Sequence, residues 1–244
     1  MKRSVQGFTL FELIIEATLG GITLACIMQF FITQLNQYRL IAGNNQLSEN
    51  VRIFSKFFEK DTHNSLAFYV FDNLTEALSF KRGDEVTLPK VGNCVVFVTE
   101  RGLVSSGKGL IYYVDENEAS HITINGTVCW PFYRAIVSFK PSGQINETEN
   151  TLSKLPFGYI KGTEDNFFKK FTYTNPSTSE TSTGIFYTID HKRFDRNDTS
   201  AQYPHIAGCR HGIYFGATLV QPGLKGSASE TPINFCFFSR NPRF

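Results

Sequence analysis

The sequence predicts an α+β protein: a long N-terminal transmembrane helix continuing into a soluble antiparallel-sheet domain. Three observations predict it. Residues 8–32 hold 17 apolar side chains out of 25, behind a short basic stretch containing Lys2 and Arg3. Apolar residues then recur at helical spacing as far as Phe58, with no proline before Pro89. From about Asp61 the period changes to short β-branched and aromatic runs separated by turn residues.

The first segment is long enough to span a bilayer. At a rise of about 1.5 Å per residue, residues 8–32 make a helix of roughly 37 Å, against a hydrocarbon core of about 30 Å. No Lys or Arg follows Arg3 until Arg39, so the basic end stays cytoplasmic and the rest of the chain is exported. A cleaved secretory signal is the first rival, but the run is longer than an h-region, holds Glu12 and Glu16, and lacks an Ala-x-Ala exit. A buried core helix of a soluble protein is the second.

Beyond Ile32 the pattern continues through Leu35, Tyr38, Leu47, Val51, Phe54 and Phe58. Residues 33–60 therefore read as an amphipathic half that lays Leu47, Val51, Phe54 and Phe58 on the soluble domain. Gly20-Gly21 and Gly43 are the weak points of the whole helix, residues 8 to about 60, since glycine costs a helix about 1 kcal/mol.

Glu12 calls for a function. An ionised carboxylate at the centre of a membrane helix costs about 2.5 to 3.5 kcal/mol, and less near the interface. A lone anchor gains nothing from that cost, whereas an assembly that supplies a cation recovers it. Glu16 lies one turn deeper on the same face; it can pair in the same way or become neutral by protonation.

The segment Gly7-Phe8-Thr9-Leu10-Phe11-Glu12-Leu13-Ile14-Ile15 resembles the prepilin-type cleavage and methylation signal of the type IV pilin superfamily, which includes pilins and the pseudopilins of type II secretion and competence systems. The resemblance covers about a tenth of the chain. It implies a leader of residues 1–7, cut by a prepilin peptidase between Gly7 and Phe8, with N-methylation of the new Phe8 amine. It places Glu12 at the family's fifth mature position, where the carboxylate meets the N-terminal amine of a neighbouring subunit. Glu16 is an acid additional to the pattern, and the internal proline frequent in abundant pilins is missing. Loss of the leader removes Lys2 and Arg3 and leaves 22 basic and 22 acidic side chains in 237 residues, a length closer to minor subunits than to major ones.

Residues Asn45 to Asp61 resemble the end of the long helix in minor pilins of the W type and secretion pseudopilins of the J type. What the resemblance implies is a minor pilin or pseudopilin, acting as a structural, initiating or tip subunit of a type IV pilus, or in a type II secretion or DNA-uptake system. Its partners would be the prepilin peptidase, other pilins through the helix, and an inner-membrane assembly platform. Its place would be the bacterial inner membrane with residues 61–244 in the periplasm, and then the pilus or pseudopilus. From another class, a membrane-tethered periplasmic binding module that never polymerises fits the same layout.

In the exported domain the strand candidates are Ala67 to Phe71, Val95 to Thr99, Gly109 to Val114, Ile122 to Ile124, Thr127 to Trp130, Ala135 to Phe139, Phe167 to Tyr173, Gly184 to Ile189, Ile213 to Val220 and Ile233 to Phe238. Asn125-Gly126 marks a tight hairpin. Pro141 to Ser153, Asn175 to Gly184 and Gln221 to Pro232 read as loops. Helices of 10 to 15 residues do not alternate regularly with the strands, which disfavours a Rossmann-like core.

Of five cysteines, Cys26 sits in the membrane helix as a packing residue. Cys94, Cys129, Cys209 and Cys236 allow two disulfides in three connectivities, and the shorter loops favour Cys94–Cys129 with Cys209–Cys236.

Positive signs of other chemistry are weak. His205, Cys209 and His211, with His191 nearby, lack a structural zinc spacing. Asp195, Asn197, Asp198 and Thr199 make an oxygen-rich turn without the glycine and glutamate of a calcium loop. No nucleophile elbow or phosphate loop occurs, so no catalytic residue, metal or cofactor is assigned. With 24 basic against 22 acidic residues, bulk phosphate neutralisation is disfavoured and no nucleic-acid partner is expected. Trp130 and the many phenylalanines are assigned to a core rather than to base stacking.

Overall fold

A computed structural model describes residues 9–65, 67–79, 91–99, 107–117, 119–124, 126–140, 143–162, 171–174, 179, 181–190, 211–222 and 228–238. Helix α1 (Leu10–Asn64) is followed by β1 (Ala67–Phe71), a short α2 (Leu74–Ser79), β2 (Val91–Gly92), β3 (Cys94–Val98), β4 (Lys108–Val114), β5 (Ile122–Ile124) and β6 (Thr127–Ser138). A 3-10 turn (Glu149–Thr151) leads to β7 (Ser153–Lys161), β8 (Phe171–Thr174), β9 (Thr181–Gly184), β10 (Phe186–Asp190), β11 (His211–Pro222) and β12 (Ala228–Phe238). The chain divides into two compact units, one up to Ala42 and one from Gly43.

The first unit is helix alone. Every residue from Leu10 to Ala42 is exposed, and α1 is long and apolar enough to cross a membrane. The hydroxyls of Thr18, Thr23 and Thr33 donate to carbonyls three or four residues back, at Ile14 and Ile15, Leu19 and Gln29, over 2.8 to 3.0 Å. An apolar solvent therefore meets no unsatisfied threonine on this stretch. The helix runs through Gly20, Gly21 and Gly43 without a break.

In the second unit the last turns of α1 carry a buried stripe of Leu47, Phe54 and Phe58, with Val51 partly buried beside them. This is the face the periodicity predicts. Phe54 meets Phe132, Phe157 and Phe215 at ring separations of 5.3, 5.3 and 4.8 Å. Phe58 meets Tyr112 and Phe97 edge-on at 5.2 and 5.5 Å. The abundance of phenylalanine is thus explained: one helix packs on a sheet through aromatic rings, each pair adding about 0.5 to 1.5 kcal/mol beyond its area.

All the strand pairings are antiparallel, in the order β1-β3-β4-β6-β7-β11-β10-β2, with β12 on β11, β5 on β6, and a separate β8–β9 pair. Alternation along each strand divides the side chains between two cores. In β3 and β4, Val95, Phe97 and Tyr112 face α1, while Cys94, Val96, Ile111 and Tyr113 join Leu74 and Ala77 of α2. Strand β3 is accordingly buried at every position, which is why its sequence is continuously apolar.

The two ends of the strand order come together. The N–H of Asn93 donates to the carbonyl of Asp72 at 3.2 Å. A Cβ on Gly92 would lie 2.0 Å from the Phe71 carbonyl oxygen, and one on Gly184 would lie 2.3 Å from Gly92. These glycines are there for close approach of backbones.

Several boundaries differ from expectation. Thr127 to Trp130 and Ala135 to Ser138 are parts of one strand, β6, which runs through Pro131, paired with Tyr159, and shifts register between Phe132 and Tyr133; Phe139 forms an isolated bridge with Ile145. Opposite that shift, Gly158 of β7 takes φ +119°, open essentially to glycine alone. Strand β7 itself, and β9 within the expected loop Asn175 to Gly184, were not foreseen from sequence; their alternation is masked by polar and Pro/Gly residues. Gln221 and residues Ala228 to Pro232 pair as the far end of the β11–β12 hairpin rather than forming a loop. Of Phe167 to Tyr173, residues 167–170 lie outside the described residues.

Helix α2 also escaped the sequence reading. Asn73 caps it: its Oδ1 accepts from the Glu76 N–H at 2.9 Å, while Glu76 accepts from the Asp72 N–H at 2.7 Å. Ile124 pairs with Thr127 as the expected hairpin requires, and Gly126 takes φ +78°; Asn125 lies outside the described residues.

Candidate assembly surface

The site starts at the first residue described. Thr9 precedes α1, and its hydroxyl accepts from the Glu12 N–H at 3.3 Å. Glu12 Oε2 in return accepts from the Thr9 N–H at 3.0 Å and the Thr9 hydroxyl at 2.8 Å. This is a capping box, which satisfies two of the four N–H groups a helix leaves unpaired at its start. A negative charge here also meets the positive end of the helix dipole. The signal was present in the sequence as Thr-x-x-Glu ahead of an apolar run.

Glu16 is different. It lies one turn further in, exposed, with no hydrogen bond or ion pair among the described residues. Its neighbours at three positions either side are Leu13 and Leu19, both more than half exposed. Around these two acids the helix presents Leu10, Phe11, Ile14, Ile22, Leu24, Phe30 and Phe31 to the outside. Gly7 and Phe8, the expected cut site, lie outside the described residues.

A second feature ties the helix end to the sheet. Asp61, buried in the last turns of α1, accepts from the Tyr112 hydroxyl at 2.5 Å and from Arg134 Nε at 2.8 Å. The Arg134 guanidinium lies 5.0 Å from the centre of the Phe57 ring. Burial first, and then the adjacent Asp61, push the Tyr112 phenol well above its usual range, so it remains the donor. For Arg134, burial opposes the charge, but the bonds to Asp61 and Tyr112 outweigh it and the guanidinium is held more firmly protonated. Nothing in the local sequence marks this clasp, because its three members come from residues 61, 112 and 134. The last turn closes with the Ser65 N–H and hydroxyl donating to the Thr62 carbonyl at 3.3 and 2.7 Å.

The expected pair Cys94–Cys129 requires correction. Cys94 is in register with Tyr113, and Tyr113 with Tyr133. Cys129 lies four residues further along β6, so the two Cα atoms are about 16 Å apart from strand spacing and rise. A disulfide needs about 7 Å or less. Cys129 instead carries a free thiol 3.7 Å from the Thr127 carbonyl, raised in pKa by burial. Short loop length misled because it ignores which strands intervene. Cys236 lies on β12 opposite Tyr214, and Cys209 is outside the described residues. Cys26 is exposed on α1.

His191, His205 and the turn Asp195 to Thr199 also lie outside the described residues. Among the described residues no group of three His, Cys, Asp or Glu side chains is placed to hold a metal. Trp130 is 8% exposed and packs in the main core, 5.1 Å from the His121 ring. It is a core residue rather than an open stacking platform.

Fold and surface together define a class: an antiparallel-sheet domain carried on one exposed, apolar N-terminal helix. No protein-family model, curated protein or solved structure matches the chain.

Proposed function

We propose that the chain is a minor type IV pilin or pseudopilin, a structural subunit whose work is assembly. The observation that carries this reading is the largely apolar surface of α1 from Leu10 to Ile32, exposed throughout and opening on Thr9 and Glu12. Such a surface is stable only in lipid or against other helices. Residues 8–32 sit in the inner membrane in this reading, with the sheet domain in the periplasm. Cleavage after Gly7 by a prepilin peptidase releases the Phe8 amine. A carboxylate at membrane level, Glu12 or Glu16, receives that amine from a neighbouring subunit. The sheet domain then selects neighbours, and in a minor subunit it starts or caps the filament. The chain needs no catalytic group or cofactor for this role.

Mass spectrometry of the mature N-terminus tests it. The expected species begins with N-methyl-Phe8. A chain retaining Met1, or one cut well beyond Ile32, overturns the reading and favours a tethered periplasmic module or a secreted domain. A pilus system is the leading setting, and secretion or DNA uptake the alternative; motor and secretin genes beside this one favour the first, and secretion or competence genes the second.

A further inference from the structure

A cleft of about 300 Å³ opens on the sheet domain between the end of β4, the start of α2 and the 3-10 turn. Its walls carry three acids, Asp115, Glu116 and Glu149, with Leu74 and Val114 as apolar contacts. Lys154 reaches one of them, its Nζ 3.8 Å from Asp115 Oδ2, and the other two have no basic partner among the described residues. Glu116 Oε1 accepts from the Asn93 amide at 3.0 Å, and Asp115 Oδ1 from the Asn117 N–H at 3.1 Å. Glu116 Oε2, Asp115 Oδ2 and both oxygens of Glu149 accept no hydrogen bond among the described residues. Two buried groups beside these acids are bare as well. The Asn93 amide turns to Glu116 on the wall, the residue is 4% exposed, and its Oδ1 has no partner. Tyr113 is fully buried on the Asp115 side of β4, and its hydroxyl has no partner either, with Asp115 and Glu149 among the charges that act on it. Folded chains rarely leave such atoms unpaired. Burial raises the Glu116 pKa against the pull of the Asn93 amide, and Asp72 adds to the rise; a cation beside it would favour the charged form.

We propose that this cleft takes the guanidinium of an arginine side chain carried by a partner protein. The acids are not placed to converge on one metal ion. They stand on separate walls, which suits a flat group with several N–H donors and an apolar stem that can lie along Leu74 and Val114. No basic residue lines the cleft among the described residues, so nothing there receives the carboxylate of free arginine. An arginine within a chain has no such carboxylate and is the fitting source. Such a contact needs no cleavage at Phe8 and serves a filament subunit and a tethered module alike.

The test titrates the full-length, detergent-solubilised chain with N-acetyl-arginine amide and follows its amide signals by NMR. The expected result is a saturable shift at the Asn93 side chain and at the Glu116 and Asn117 backbone. N-acetyl-citrulline amide, the uncharged isostere, should leave those signals in place. Glu116→Gln combined with Glu149→Gln should weaken binding by about tenfold. Glu59→Gln, which alters an exposed acid of α1 outside the cleft, should not. Glu149→Gln alone, expected to weaken binding by a smaller factor, is read if the double variant loses the parent spectrum. Equal shifts with the citrulline compound, shifts that never saturate, or an affinity indifferent to these Gln variants of the cleft overturn the assignment. Free L-arginine should bind less well than the amide; tighter binding would make the cleft a small-molecule site and sink the partner.

Discussion

The guanidinium of Arg134, on the sixth strand, closes on the carboxylate of Asp61, in the last turns of the long helix, at 2.8 Å. Both side chains are largely buried, and Tyr112 donates to the same carboxylate oxygen. The pair welds two parts of the chain that are 73 positions apart in sequence.

Arg134→Ala is therefore expected to destabilise the sheet domain by about 3 to 5 kcal/mol, because it strands a buried carboxylate. Replacing the pair together, with Asp61→Leu and Arg134→Met, should restore much of that loss. Thermal unfolding of the detergent-solubilised chain measures both; equal destabilisation by the single and double variants would show that the charge pair is not the source.

Phe54 sits among six other rings of the core. Phe54→Ala should cost about 3 to 5 kcal/mol, and Phe54→Leu distinctly less. The same substitution at Phe31, exposed on the first half of the long helix, should leave the melting of the sheet domain unchanged.

Thr9→Ala removes the hydroxyl that holds Glu12. A loss of about 1 kcal/mol in the first turn is expected. Amide hydrogen exchange in detergent reads it as faster exchange at residues 11 to 13, with no change beyond Ile22. Thr9→Ser should behave like the parent.

Glu116 gives a pH dependence. Burial raises its pKa above 4.5, opposed by the Asn93 amide that donates to it at 3.0 Å, and Asp72 adds to the rise. As pH climbs from 4.5 through the raised value, the folded chain holds the proton more tightly than the unfolded one, so stability falls. The loss is complete above the raised value and absent below the ordinary one. Glu116→Gln should thus melt higher than the parent at neutral pH, with the gap closing in acid. A gap that is constant across pH would locate the effect elsewhere.

The long helix was legible because its signals are local and repeated: an apolar run, then a face at spacings of three and four. Ala67 to Phe71 and Ile122 to Ile124 were also legible, each a short β-prone run between turn residues. Strand β7 was not, since Ser153 to Leu155 face outward and Pro156 and Gly158 interrupt the pattern at a bulge. Thr9-x-x-Glu12 and Asn73-x-x-Glu76 carry the same capping signature, and reading it would have added α2 and a local role for Glu12. The Asp61 clasp and the wide separation of Cys94 from Cys129 depend on strand order. No spacing within the chain reports that order, so both had to await the fold.

The crowding of bare backbone at Gly92 and Gly184 bears on how this domain can diversify. A single methyl on Gly92 would wedge apart the first and last strands of the order at Phe71, and one on Gly184 would push the end of β9 off Gly92. In a library that randomises this region, survivors should keep hydrogen alone at those two α-carbons while the outward-facing positions around them drift freely.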